Sequence, residues 1–218
     1  MPSDETTRPL IRLPSDVAAD LAECRLKAKI CSRENQAMAS QTETTSSFSI
    51  RRLFAVDDAQ IAALAEVLIN CVEGGASVSF MHPLSRDRAT AFWRGVAREV
   101  AVGARALLVA EDTHGLCGTV QLVLELPENQ PHRADLAKML VHRRARRLGL
   151  GAALMRAAEV TARECGKALL VLDTVTGGDG ERLYERLGWK RVGVIPDYAL
   201  MPRGGFCSTT VFYRNLDQ

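Results

Sequence analysis

Residues 141–152 read VHRRARRLGLGA, with four arginines in five positions and a Gly-Leu-Gly directly after them. Such a run can be a solvated charged face, a patch for nucleic acid, or a seat for one compact anion, and its flanks separate the three. The residues before it, RADLAKMLV (133–141), read as a strand, although their composition would also tolerate a helix. Those after it, 149–166, have the spacing of an amphipathic helix that ends at Gly166. The first turn of a helix holds backbone N–H groups with no intrahelical partner, at the positive end of the helix dipole. Glycine lets an anion's oxygens come close to those groups, and arginine forks can grip it from the sides. Neither common nucleotide loop fits, because 149–154 reads GLGAAL and no Gly-Lys-Ser/Thr ending is present. What remains is R-x-x-G-x-G over Arg146, Arg147, Leu148, Gly149, Leu150 and Gly151.

The charge distribution supports the compact-anion reading. Between His132 and Arg156, seven basic residues (Arg133, Lys138, Arg143, Arg144, Arg146, Arg147 and Arg156) face the single acid Asp135, while the whole chain of 218 residues carries only +2. A field this local suits a small anionic ligand, and the arginines are not interleaved with aromatics, so no nucleic-acid partner is expected. Hydrophobic residues at 47% and charged residues at 25% are the balance of a soluble globular protein. The six cysteines (24, 31, 71, 117, 165 and 207) form no C-x-x-C pair and no cluster of ligand spacing, so no metal is expected. The N-terminus has no apolar signal region, and no stretch has the length and apolarity of a membrane span. A reduced, cytoplasmic protein with no membrane partner is the resulting expectation.

Around the loop, the chain divides in two. Residues 1–47 read as a partly ordered N-terminal extension, with a candidate helix over 15–31 and a polar linker, SQTETTSS, at 40–47. Residues 48–218 read as one regular domain. FSIRRLF (48–54) alternates as a strand, and Asp57-Asp58 opens a helix that stops at Gly74-Gly75. A second helix starts near Ser85 and runs to Gly103. Residues 106–112 and 116–126 form a hairpin, followed by strand 133–141, the basic loop and helix 149–166. ALLVLDT (168–174) is a continuous apolar run, as in a central strand. A short helix over 181–189 precedes closing strands 189–195 and 209–216, which an 11-residue loop, DYALMPRGGFC, separates. The order β-α-α-β-β-β-α-β-α-β-β predicts an α/β protein with a mixed, mostly antiparallel sheet.

With the loop and its neighbours in place, the sequence resembles the GNAT superfamily of acetyl-CoA-dependent N-acetyltransferases, whose central motif is Q/R-x-x-G-x-G/A. The resemblance extends over roughly 48–218. Downstream, LYERLGW followed by RVGVIPDY is similar to the family's L-Y-x-x-x-G-F/W and the strand after it. Within the superfamily, HRADLAKMLV, RRLGLG, LLVLDT and LYERLGW are similar to tabtoxin-resistance-type acetyltransferases, which acetylate the amine of an amino-acid-like toxin. The resemblance implies the GNAT fold, a central mixed sheet of about seven strands flanked by helices, with acetyl-CoA as co-substrate.

It also implies site residues. The strand of Lys138, Met139, Leu140 and Val141 would pair through its backbone with the pantetheine arm. Backbone N–H groups of Arg147, Gly149, Gly151 and Ala152 would receive the pyrophosphate, with Leu148 and Leu150 in the same loop and Arg146 at the Q/R position. Arg143 and Arg144 have the charge to reach the 3′-phosphate. Asp173 and Tyr184 stand where those relatives have a base and a hydroxyl donor to the leaving thiolate, with Glu125 and Glu111 as other carboxylates open to the role of base. Two departures stand out: Arg147 where Gly is frequent, and Gly177-Gly178-Asp179-Gly180 where Asn is frequent. The implied reaction is acetyl transfer to a primary amine of a small molecule by direct attack in a ternary complex. The open alternatives are a protein N-terminus or lysine as acceptor, or a non-catalytic acyl-CoA-binding module. A homodimer through the C-terminal strands, as in many relatives, is a further open alternative.

Overall fold

The computed structural model describes residues 48–216, which belong to one compact unit. The candidate helix 15–31, the linker and the rest of the expected extension lie outside the described residues. The elements follow in the expected order: β1 (Ser49–Leu53), α1 (Asp58–Glu73), α2 (Arg86–Ala101), β2 (Arg105–Asp112), β3 (Gly115–Val123) and β4 (Arg133–Val141). After a single 3-10 turn (Arg143–Ala145) come α3 (Leu150–Glu164), β5 (Leu169–Val175), α4 (Asp179–Arg186), β6 (Lys190–Leu200) and β7 (Phe206–Asn215). Seven strands make one sheet in the order β1-β2-β3-β4-β5-β7-β6. All neighbours are antiparallel except β4 and β5. That pair is joined by α3, as a parallel connection requires a crossover.

Local signals set the helix ends. Asp57 caps α1 in a capping box with Gln60, and the Ser85 hydroxyl accepts from the Arg88 N–H at the start of α2. Alternation along β2 then divides the core between the faces. Leu107 and Val109 pack with Leu64, Leu68 and Trp93 of α1 and α2. Ala106, Leu108 and Ala110 pack with Leu150, Leu154 and Met155 of α3, together with Tyr184 and Phe212.

Two expectations are corrected. The stretch 197–207 is not an 11-residue loop: β6 runs on to Leu200, and only residues 201–205 connect it to β7. Pro196 and Asp197 lie in a bulge with Asp197 at φ 50°, after which pairing resumes at Ala199↔Cys207. In addition, α4 begins at Asp179, two residues earlier than the pattern indicated, with Gly178 as its N-cap.

The sheet opens where β4 and β5 separate. Their pairing consists of Arg133↔Leu169, Ala134↔Leu170 and Asp135↔Val171, and it goes no further. On its other side β4 stays with β3 but carries a bulge: Ala137 pairs with Gln121 and Leu140 with Thr119, so Lys138 and Met139 both stand opposite Val120. Lys138 takes up the irregularity in a left-handed conformation, φ 48°. From Leu136 onward, β4 therefore turns a backbone edge without a strand partner towards a split in the middle of the sheet.

Candidate active site

The split is a cleft of about 380 Å³. One wall is β4 from Leu136 to Met139, and the other is β5 from Leu172 to Val175, with Tyr184. The loop between α1 and α2 (residues 77–81) and the bulged end of the β6–β7 hairpin close one side. These last two are tied together: the Ser77 hydroxyl donates to the Leu200 carbonyl at 3.0 Å and the His82 N–H to the Pro202 carbonyl at 2.8 Å.

Asp173 and Tyr184 both line the cleft. Asp173 sits on β5 opposite Val211 of β7, and the Thr209 hydroxyl holds its carboxylate at 3.0 Å. Tyr184 comes from α4 with its ring packed against Trp189 and Phe212, both at a centroid distance of 6.0 Å. Its hydroxyl has no hydrogen-bond partner among the described residues. Burial, and secondarily the Asp173 charge, push the phenol pKa well above its ordinary value, so the group stays a proton donor. The carboxylates Glu111 and Glu125 do not line the cleft: Glu111 pairs with Arg51 at 3.0 Å, and Glu125 is exposed beyond the end of β3.

The helix carrying Tyr184 is held against β5 and β7 by groups that the sequence did not single out. Glu181, buried, accepts from the Gly177 N–H and from the Thr210 hydroxyl, the latter at 2.8 Å, and lies 3.7 Å from Arg191. The Gly177 N–H first, then Thr210, hold its carboxyl below the usual carboxylate range. Gly180 makes the close approach possible, because a Cβ there would lie 2.7 Å from the Thr174 hydroxyl oxygen.

The basic loop is divided among different tasks. Arg143 is bound to α1, through the Asn70 side chain at 3.0 Å from its N–H and Glu73 at 3.4 Å from its guanidinium. Arg144 pairs with Asp112 at 3.0 Å and also donates to the Gly115 and Leu116 carbonyls, which fixes the β2–β3 turn. Both guanidinium groups are thus engaged in holding the loop. Arg146 donates to the Val141 carbonyl at 3.2 Å. The exposed Arg147 side chain makes no hydrogen bond or ion pair among the described residues.

The two glycines differ as well. Gly149 (φ 82°) is the left-handed N-cap of α3, and no side chain caps the N–H groups of that first turn. Gly151 allows α3 to meet α4, since a Cβ would stand 3.1 Å from Leu183 Cδ2. Leu140 and Leu150 point into the core, so only their backbones face the site. A splayed strand edge leading to an uncapped helix N-terminus with a spare arginine fits an extended ligand that has amide groups and a pyrophosphate, as acetyl-CoA has.

Backbone strain marks the same region. The four non-glycine residues with left-handed φ among the described residues are Ser79, Lys138, Arg147 and Asp197. Ser79 and Lys138 line the cleft, Asp197 precedes the cleft residue Tyr198, and Arg147 is in the loop. Such conformations are retained where surrounding structure imposes them, most often at functional sites.

In the sequence Lys138 belongs to the site only through its backbone, and Thr209, Tyr198 and Ser79 lie in no motif. A lysine amid the apolar residues of AKMLV was the one available signal.

Residues 103–191, from just before β2 to the start of β6, match the family model described as acetyltransferase (GNAT) domain. Among solved structures, yncA from Salmonella typhimurium, determined with its cofactor acetyl-CoA, is 21% identical, with 79% of this chain and 95% of that one covered at a TM-score of 0.64. A ribosomal-protein-alanine N-acetyltransferase from Brucella melitensis gives 19% identity, 77% and 99% coverage and a TM-score of 0.64. A GCN5-related N-acetyltransferase from Kribbella flavida gives 22%, 78% and 98%, and 0.63. The seven-stranded sheet split between β4 and β5 is the GNAT fold. Residues 103–191 carry the match to a GNAT acetyltransferase domain, the type that performs acetyl-CoA-dependent N-acetylation.

Proposed function

We propose that this enzyme transfers acetyl from acetyl-CoA to a primary amine of a small molecule, with both substrates bound together. Acetyl-CoA supplies an acetyl carbonyl activated as a thioester. Backbone N–H groups at 147–152 hold its pyrophosphate, assisted by Arg146 and Arg147, and the free edge at Met139–Val141 aligns the pantetheine arm and offers an N–H to the carbonyl oxygen. Asp173 holds the acceptor's ammonium and takes its proton, directly or through water, so that the nitrogen can attack. Tyr184 donates its hydroxyl proton, or a hydrogen bond, to the departing thiolate sulfur. Juxtaposing the two substrates removes a large entropic part of the barrier, so no covalent enzyme intermediate is required.

The observation that supports a small acceptor is the wall on one side of the cleft: the 77–81 loop is tied to the β6–β7 hairpin beside a space of about 380 Å³, which is of small-ligand size. The test is release of free CoA from acetyl-CoA across a panel of small amines and short peptides. Turnover with small amines supports the reading. Turnover with peptide N-termini or lysines alone overturns it in favour of a protein acceptor, and acetyl-CoA binding without any turnover leaves an acyl-CoA-binding module.

A further inference from the structure

The cleft contains a cation whose role the acetyl-transfer chemistry does not explain. Lys138 lines the cleft half-buried. Its ammonium donates to the Ser79 hydroxyl at 3.1 Å and lies 5.8 Å from the centre of the Phe92 ring. No carboxylate of the described residues is within ion-pairing distance, and taking a charge even partly out of water is costly without a partner. Asp173, the other charged group lining the cleft, already has its carboxylate held by Thr209. Lys138 and Ser79 are both held in left-handed backbone conformations, φ 48° and 74°, so strain is tolerated on each side of this contact. The cleft thus presents one cation and one anion, with hydroxyls of Ser79, Tyr198 and Thr209 around them.

Resting on the small-amine reading above, we propose that Lys138 selects the acceptor by binding a carboxylate, so that the preferred substrates are zwitterions whose ammonium goes to Asp173 and whose carboxylate goes to Lys138 and Ser79. Burial and the Arg105 charge lower the Lys138 pKa while Asp173 raises it, and a carboxylate bound beside the ammonium would act in the same direction as Asp173. An acceptor without a carboxylate would instead leave the Lys138 ammonium unpaired inside an occupied site.

The experiment compares α-, β- and γ-amino acids with their carboxamides, which retain the amine and lose the anion, using CoA release by the full chain. Wild type is expected to favour the acids by at least about tenfold in kcat/KM, the scale of one charge-assisted hydrogen bond. In Lys138→Met, and in Lys138→Gln as a second neutral variant, the acid-to-amide ratio should fall towards one. Lys138→Arg should keep a preference for acids. Retention of the acetyl-CoA thermal shift in each variant identifies folded protein. Because the readout is a ratio, a merely structural role of Lys138 would not move it. A wild-type ratio near one, or an unchanged ratio in both neutral variants, overturns the inference while leaving small-amine acetylation intact. Failure of every amine in the panel removes the small-amine reading itself, and this inference with it.

Discussion

Replacing Tyr184 with phenylalanine deletes one oxygen and tests the division between chemistry and packing. The ring is 5% exposed and contacts Trp189 and Phe212, and Phe preserves both contacts. The hydroxyl makes no hydrogen bond within the described residues, so its loss strands no protein partner, and stability should change by less than about 1 kcal/mol. Catalysis should respond far more. A pre-positioned donor in a water-poor site, aimed at developing negative charge, is worth about 10²–10³ in kcat, or about 3–4 kcal/mol. The assay is steady-state CoA release at saturating acetyl-CoA, alongside thermal melts with and without acetyl-CoA. A loss in kcat of about a hundredfold is expected, with an unchanged Tm and an unchanged acetyl-CoA shift. Because the phenol pKa lies above its ordinary 10.0, no decline in wild-type kcat from this group is expected below pH 10. Turnover within twofold of wild type would remove Tyr184 from the mechanism, and a fall of several degrees in Tm would show that its hydroxyl is structural.

Arg147→Gly should raise stability by about 1 kcal/mol, since φ 62° is strained for arginine and free for glycine, while reducing the acetyl-CoA thermal shift. Arg144→Ala should do the reverse, lowering Tm through loss of its bonds to Asp112 and the β2–β3 turn with little change in that shift; equal effects of the two variants on binding would refute the division of the arginines. Gly118→Ala should cost about 1–3 kcal/mol in urea melts, because its Cβ would meet Leu154 Cδ1 at 3.0 Å and the Leu140 carbonyl and Leu150 Cδ2, both at 3.2 Å. Glu181 has a folded pKa below its ordinary 4.5, so the stability it contributes is present above pH 4.5 and is lost as pH falls through the depressed value. Glu181→Gln should therefore be less stable than wild type at pH 7, by about 1–3 kcal/mol, and should lose less on acidification; parallel stability–pH curves would refute this.

Sequence and structure agree wherever the governing interaction is local. Asp57 and Ser85 mark their helices because a cap acts on N–H groups two or three residues away. Gly149 marks the start of α3 because a left-handed cap is a property of one residue. The alternation of β2 and the apolar run of β5 follow from what each strand must bury. The same signals misled where a bulge imitates a turn: Pro196-Asp197 breaks the ladder for a few residues and β6 then continues, an outcome decided by the distant partner strand β7.

By itself, the sequence determined the order of elements, the mixed sheet and the glycine-opened loop between β4 and α3. Tertiary structure alone decided how the arginine run is used. Arg143 and Arg144 look like neighbours of Arg147 in a chain of letters, but Asn70, Glu73 and Asp112 approach from α1 and β2 and engage them, leaving Arg147 available. It also decided that Lys138 stands in the cleft without a carboxylate partner, because the strand bulge that turns it there and the Ser79 loop that meets it lie 59 residues apart in sequence. Spacing along the chain encodes contacts within one helix or strand, whereas the pairing of a charge depends on which distant group arrives beside it.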